Sequence, residues 1–151
     1  MKDLSSDNSK MISEIKKDLF RYRNGVLAES LKKIYPNKMI FGLNVPQLME
    51  LSNNYPKDKD LALSLWEDNS SREIRLLSLY LLPPNEVDYD TAEKMIMSVE
   101  NNEQAEHLAF RVLRKLNGAK DVLNTIQQKD LKDPIVEYCV KMFQKNLEFN
   151  S

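Results

Sequence analysis

The sequence is poor in residues that interrupt regular structure, with three glycines and six prolines among 151 residues. A single cysteine, Cys139, excludes an intramolecular disulfide framework. No run of 18 apolar residues occurs, and no stretch alternates between apolar and polar residues for long enough to predict a strand. These absences argue against β-rich, disulfide-scaffold and membrane-spanning classes, and we expect a cytoplasmic all-α protein.

Neither sign of charge is in large excess, because the net charge is −1. A uniformly basic nucleic-acid binder is thereby excluded. Residues 1–38 carry 9 basic and 5 acidic groups, residues 39–110 carry 5 and 13, and residues 111–151 carry 8 and 5. Binding of duplex DNA requires a basic surface that displaces counterions, and the two basic ends permit one. Solvated helix faces of no specific function are the alternative explanation.

The segment 59–84 predicts two consecutive helices, and the rest of the chain is organised around them. The first helix carries an apolar stripe that includes Trp66, which we expect to pack in the core. The second begins with a predicted capping box of Ser70 and Glu73 and ends at two prolines, which lack the N–H donor. Since its leucines occupy several sides, neighbouring helices should cover it on several sides.

Further helices are predicted on both sides of this pair. Asn44, Asp90 and Asp133 are predicted N-caps, and Asn117-Gly118 predicts a helix end. Predicted starts fall near 46, 59, 72, 91, 103, 119 and 134, so helix pairs recur about every 26 to 31 residues. This spacing favours a HEAT-like helical-repeat solenoid, a single domain over residues 10–151 after a flexible segment 1–9. A compact irregular bundle is the alternative.

Two segments carry a family resemblance. KMIFGLNVPQLMEL contains Phe41-Gly42 and Val45-Pro46, and ALSLWEDNSSREIRLLSLYLL contains a Leu-Trp pair and Arg72-Glu73. Together they resemble the bacterial DNA alkylation repair family, the HEAT-like repeat alkylpurine DNA glycosylases. The resemblance implies a concave face that binds duplex DNA or a damaged base, and a reaction that needs no cofactor.

A third segment, NNEQAEHLA, resembles the family's active segment and places Glu106 where the family has its catalytic carboxylate. In active members this carboxylate and flanking aromatic rings stabilise positive charge that develops on the sugar as the base leaves. Asn101 and Asn102 stand where those rings would be. The resemblance therefore implies a catalytic role for Glu106 together with weakened or absent glycosylase activity. An exposed helical acid without a special role is the alternative.

Cationic residues follow Glu106 and are the candidates for contacts with phosphate. The predicted nucleic-acid-binding residues are Arg111, Arg114, Lys115 and Lys120. The resemblance implies this role, because the helix that carries Glu106 lines the family's concave surface. Cations that stabilise the C-terminal end of a helix are the alternative. Duplex DNA is thus the predicted partner, and a protein-interaction scaffold without DNA chemistry is the competing hypothesis.

Two other groups could suggest chemistry. Glu103, Glu106 and His107 resemble part of a zinc-binding motif, but the sequence has no second histidine, so no metal site is predicted. Cys139 lies on the apolar stripe of its helix, where a cysteine is typically an inert core residue. We therefore expect neither a metal, a small-molecule cofactor nor a membrane partner.

Overall fold

The computed structural model describes the backbone of residues 4–149 and the side chains of residues 8–149. Within this range the chain forms nine α-helices, no strand, and two short 3₁₀ helices, Pro84–Glu86 and Leu113–Lys115. The α-helices are α1 (Leu4–Arg21), α2 (Gly25–Leu31), α3 (Val45–Ser52), α4 (Lys59–Asp68), α5 (Arg72–Leu81), α6 (Tyr89–Met97), α7 (Asn102–Arg111), α8 (Ala119–Gln127) and α9 (Pro134–Phe149). The all-α prediction is confirmed. No helix in the described residues is long and apolar enough to cross a membrane.

The seven helices α3 to α9 begin within two residues of the seven predicted starts. Of the segment 1–9, residues 1–3 lie outside the described range, and α1 begins at Leu4. The chain divides into two compact units, Met1–Leu82 and Pro83–Ser151. The solenoid arrangement of a single domain over residues 10–151 stays a prediction.

α5 is the buried centre of the first unit, and all of its residues from Arg72 to Leu81 are buried. It packs mainly against α4 and also against α3, as the distribution of its leucines predicted. Trp66 of α4 is buried as well. The Arg75 guanidinium lies 3.8 Å from the centroid of the Trp66 ring, and its Nε donates to the Trp66 carbonyl at 3.2 Å. Trp66 is therefore a packing residue between α4 and α5.

The capping box predicted from Ser70 and Glu73 is wrong. Ser71 is the N-cap of α5, and its hydroxyl oxygen accepts from the Ile74 N–H at 3.1 Å. Ser70 instead donates its hydroxyl to Asp68. Two adjacent serines offer the same capping chemistry, and the choice between them depends on the position of the preceding turn.

Of the other three predicted N-caps, two are confirmed and one is wrong. Asn44 caps α3 and forms a capping box with Gln47, and the Asp133 carboxylate accepts from the N–H groups that open α9. Both predictions are confirmed. Asp88, however, caps α6 in place of the predicted Asp90, with its carboxylate 2.8 Å from the Thr91 nitrogen. A second aspartate two residues away made the cap ambiguous.

Glu73 holds the loop that precedes α3. Its buried carboxylate accepts from the backbone N–H groups of Phe41 at 2.9 Å, Gly42 at 3.0 Å and Leu43 at 3.3 Å. Arg72, also buried, donates through Nη1 to Glu73 at 2.9 Å and to the Leu43 carbonyl at 2.7 Å. A buried carboxylate is tolerated only when its charge is paired and its oxygens are hydrogen-bonded, and both conditions hold here.

In the second unit, α9 packs against α6, α7 and α8. Cys139 of α9 is fully buried and faces α7, with its Sγ 3.8 Å from the Ala105 carbonyl oxygen. Burial raises the pKa of the Cys139 thiol to about 12. The prediction of a core cysteine is confirmed by this burial, and a thiol of raised pKa is a poor nucleophile.

Candidate nucleic-acid interface

The predicted phosphate-binding residues lie where α7 ends. We expected one helix to continue to Leu116, but α7 ends at Arg111 and a 3₁₀ turn follows over Leu113–Lys115. The tighter turn keeps Val112 and Leu116 in the core, since both are buried. Arg111 is thus the last residue of α7, while Arg114 and Lys115 belong to the turn.

Three of the four predicted cations are close enough to influence one another. Partial desolvation of the Lys115 ammonium, followed by the charges of Arg114 and Arg111, lowers the pKa of Lys115. Lys115 is exposed, and within the described residues no carboxylate lies within salt-bridge distance of it. We call Arg111, Arg114 and Lys115 the cationic turn. Clustered positive charge attracts polyanions.

Lys120 is placed differently. It is exposed in the first turn of α8, whose N-cap position is Gly118 in the left-handed conformation. It is not among the charges that lower the pKa of Lys115. The left-handed conformation of Gly118 suits the helix end that Asn117-Gly118 predicts, but the residue opens α8 and does not close α7. The structure therefore joins three of the predicted cations and leaves Lys120 on the next helix.

Arg114 also serves the helix that it follows. Its Nε donates to the Phe110 carbonyl at 2.6 Å, which satisfies one of the free carbonyl groups at the end of α7. Its guanidinium lies over the Phe110 ring, 4.2 Å from the ring centroid. The alternative role, a cation that stabilises a helix end, therefore fits the contacts of Arg114.

Phe110 is a candidate that the sequence analysis missed. It is 50% exposed although it belongs to a well-packed helix. It lies four residues after Glu106, and both side chains are exposed, so the two share the outer side of α7. The sequence contained a signal for this candidate, because Phe110 follows the polar residue Glu106 at helical spacing. The outer side of α7 thus presents an anion and an aromatic ring, and the cationic turn follows them in the chain.

Glu106 is exposed on α7 and accepts a hydrogen bond from the Tyr138 hydroxyl of α9, with 2.5 Å between the oxygens. This bond, more than burial, raises the pKa of Tyr138. Asn101, which the resemblance aligns with an aromatic position, is the N-cap of α7 and accepts from the Gln104 N–H at 3.0 Å. An aromatic ring does flank the carboxylate, but it comes from a different helix.

The possible metal ligands near Glu106 have other contacts. The Nδ1 of His107 lies 3.0 Å from the Glu103 carbonyl oxygen, one turn earlier in α7. In the part of the chain that the structure describes, no group of three or more histidine, cysteine, aspartate or glutamate side chains is placed to hold a metal ion.

Comparison with known proteins identifies the family. The family model described as DNA alkylation repair enzyme matches residues 15–132. The chain belongs to the DNA alkylation repair enzyme family. In this family member the match includes the Arg72–Glu73 pair, Glu106 and all four predicted cations, whereas Tyr138 lies beyond it. Searches of curated proteins and of solved structures returned no match.

Proposed function

We propose that this DNA alkylation repair family member binds duplex DNA through the cationic turn and Lys120, with weakened or absent glycosylase activity at Glu106. The observation that supports the proposal most is the clustering of Arg111, Arg114 and Lys115 beside the exposed side of α7 that carries Glu106. Membership of the family suggests that the polyanion is DNA, and the cluster of cations suggests the surface that contacts it.

The proposed contacts are of two kinds. Lys115 and Lys120 are exposed and act as point charges toward phosphate oxygens. The Arg114 guanidinium is oriented by its bond to the Phe110 carbonyl and its position over the ring, so little side-chain entropy is lost when it binds. Such contacts position the duplex without reading its sequence.

Removal of two of these charges should flatten the salt dependence of DNA binding. For the double variant Lys115→Gln/Lys120→Gln, we expect the slope of log K against log salt concentration to become less steep by about 1.8, because each phosphate contact contributes about 0.9. Fluorescence anisotropy of a labelled duplex, titrated at several salt concentrations, measures this slope.

The matched control is Lys17→Gln/Lys132→Gln, which removes two exposed lysines and changes the net charge equally. The control should retain the wild-type slope. If both double variants show the same reduced slope of log K against log salt concentration, net charge alone attracts DNA. Binding that is absent, or independent of salt in the wild type, would contradict the proposal and support the protein-interaction scaffold.

For catalysis, we propose that Glu106 is the carboxylate that faces the developing positive charge. Its Tyr138 partner supplies one aromatic ring, but Asn101 and Asn102 supply none. The hydrogen bond from Tyr138 also draws electron density from the carboxylate, which reduces the stabilisation that its charge can give. Both features support activity below that of the family's active members.

The Glu106→Gln variant tests this role. Release of an alkylated purine from treated duplex DNA should fall to the spontaneous background in Glu106→Gln, while affinity for the duplex stays equal or rises because a negative charge is lost. Chromatography of the released base measures the first quantity, and Glu137→Gln on the exposed side of α9 is the control. Release that is the same in wild type and Glu106→Gln, including none in either, would remove the catalytic role.

A further inference from the structure

The Phe110 side chain is poorly explained by folding. Half of it is exposed, and its contact with Arg114 covers one face of the ring, so apolar ring surface remains in water beside the cationic turn. Exposure of a large aromatic side chain forgoes the favourable burial that it would gain in a core. An exposed aromatic ring next to clustered cations is the arrangement with which proteins bind unpaired nucleobases.

The first unit contains a second exposed phenylalanine that stacks with an arginine, and it can be compared with Phe110. Phe20 is 55% exposed, and the Arg23 guanidinium lies over its ring, 3.8 Å from the centroid. Arg23 donates to the Phe20 carbonyl at 2.8 Å, as Arg114 does to that of Phe110. The local stack is therefore shared. Phe110 differs in its position between the cationic turn and the Glu106–Tyr138 pair.

We propose that Phe110, backed by Arg114, is a stacking platform for an unpaired base of DNA. The proposal rests on the proposed function, since the cationic turn must first hold the phosphates on either side of that base. The Arg114 guanidinium strengthens the arrangement, because it holds the ring in place while half of the Phe110 side chain stays exposed to a base.

The energetics predict which DNA this platform prefers. Stacking of one base on an aromatic side chain is worth about 1–3 kcal/mol. Removal of a paired base from an intact duplex costs a few kcal/mol, so stacking alone does not extrude it. A base that is already unpaired carries a smaller cost and gains the contact. The protein should therefore bind a duplex with an unpaired base more tightly than an intact one.

Three duplexes of equal length test the inference: one intact, one with a single bulged adenine, and one whose bulge is an abasic sugar. The abasic bulge has the same backbone and flexibility but no base to stack. We expect the adenine bulge to be bound about tenfold more tightly than either of the others. The ratio should change little with salt, because counterion release is nearly the same for all three.

Phe110→Leu should reduce the ratio to about one, since leucine keeps apolar surface but has no π-face. Phe20→Leu, the matched control, should keep the wild-type ratio. A ratio of one in the wild type, or its retention in Phe110→Leu, overturns the inference. Steep salt dependence with a ratio of one would leave the proposed function standing, whereas no binding to any of the three duplexes contradicts both.

Discussion

Replacement of Glu73 by glutamine is expected to lower the free energy of unfolding by about 3–5 kcal/mol, the cost of removing one partner from a buried ion pair. The variant keeps the shape of the side chain and changes only its charge and donor pattern. Urea unfolding followed by far-ultraviolet circular dichroism measures the loss. A shift of this size is a large fraction of the stability of a small domain.

The expected loss of stability follows from the hydrogen bonds that the two carboxylate oxygens of Glu73 accept. Oε1 accepts from the Phe41 N–H, while Oε2 accepts from Gly42, Leu43 and Arg72. In the glutamine variant one oxygen becomes an NH₂ group that faces N–H donors, so at least one backbone donor loses its acceptor in the interior. Arg72, a residue that is only 2% exposed, also loses its carboxylate partner. Unsatisfied buried donors and the loss of a carboxylate from a buried ion pair both oppose folding.

Glu29→Gln is the matched control, because Glu29 lies in the same unit and makes the same type of ion pair at the surface. Its carboxylate is 2.9 Å from the Lys32 ammonium, with 73% of the glutamate side chain exposed. We expect this substitution to change the free energy of unfolding by less than about 0.5 kcal/mol. Similar losses in both variants would contradict the role given to Glu73.

Much of the helical architecture could be predicted from the sequence, because local signals determine where helices begin and end. Asn44 and Asp133 cap their own helices within three residues, and the two prolines after α5 end it directly. α2 shows where such signals fail. The apolar residues Val26, Leu27 and Leu31 predict one stripe, but Val26 is 83% exposed and Ala28 is buried instead. A helix of seven residues contains too few apolar positions to determine which side faces the core.

Contacts between distant residues could not be predicted in the same way. Its position predicts a capping role for Glu73, but its backbone N–H partners lie about 30 residues earlier in the chain. The family resemblance drew attention to Phe41, Gly42 and the Arg72–Glu73 pair without showing that they form one hydrogen-bonded group. Similarly, Glu106 could be chosen by resemblance, whereas its bond to Tyr138 depends on how α7 and α9 pack. Periodicity predicts which elements form, and tertiary packing determines which side chains meet.

Gly42 shows how closely the loop approaches α2. Its φ angle is +92°, in the region that side chains rarely adopt. A Cβ atom at this position would lie 2.1 Å from the carbonyl oxygen of Asn24 and 2.9 Å from the nitrogen of Ala28. These two groups form the first hydrogen bond of α2, and the Asn24 N–H donates to the Phe41 carbonyl at 2.8 Å. A side chain would therefore displace backbone groups that are bonded on both sides.

Gly42→Ala should consequently lower the free energy of unfolding by about 4 kcal/mol, the sum of a strained backbone conformation and overpacking against fixed atoms. Gly25→Ala provides the control within the same unit, since a Cβ there meets nothing within 4 Å and the residue opens α2. That variant should be unchanged or more stable by up to about 1 kcal/mol, because alanine restricts the unfolded chain. Urea midpoints measured in parallel separate the two outcomes. Equal midpoints would mean that the loop can move away from α2, and that Glu73 holds it less firmly than its hydrogen bonds imply.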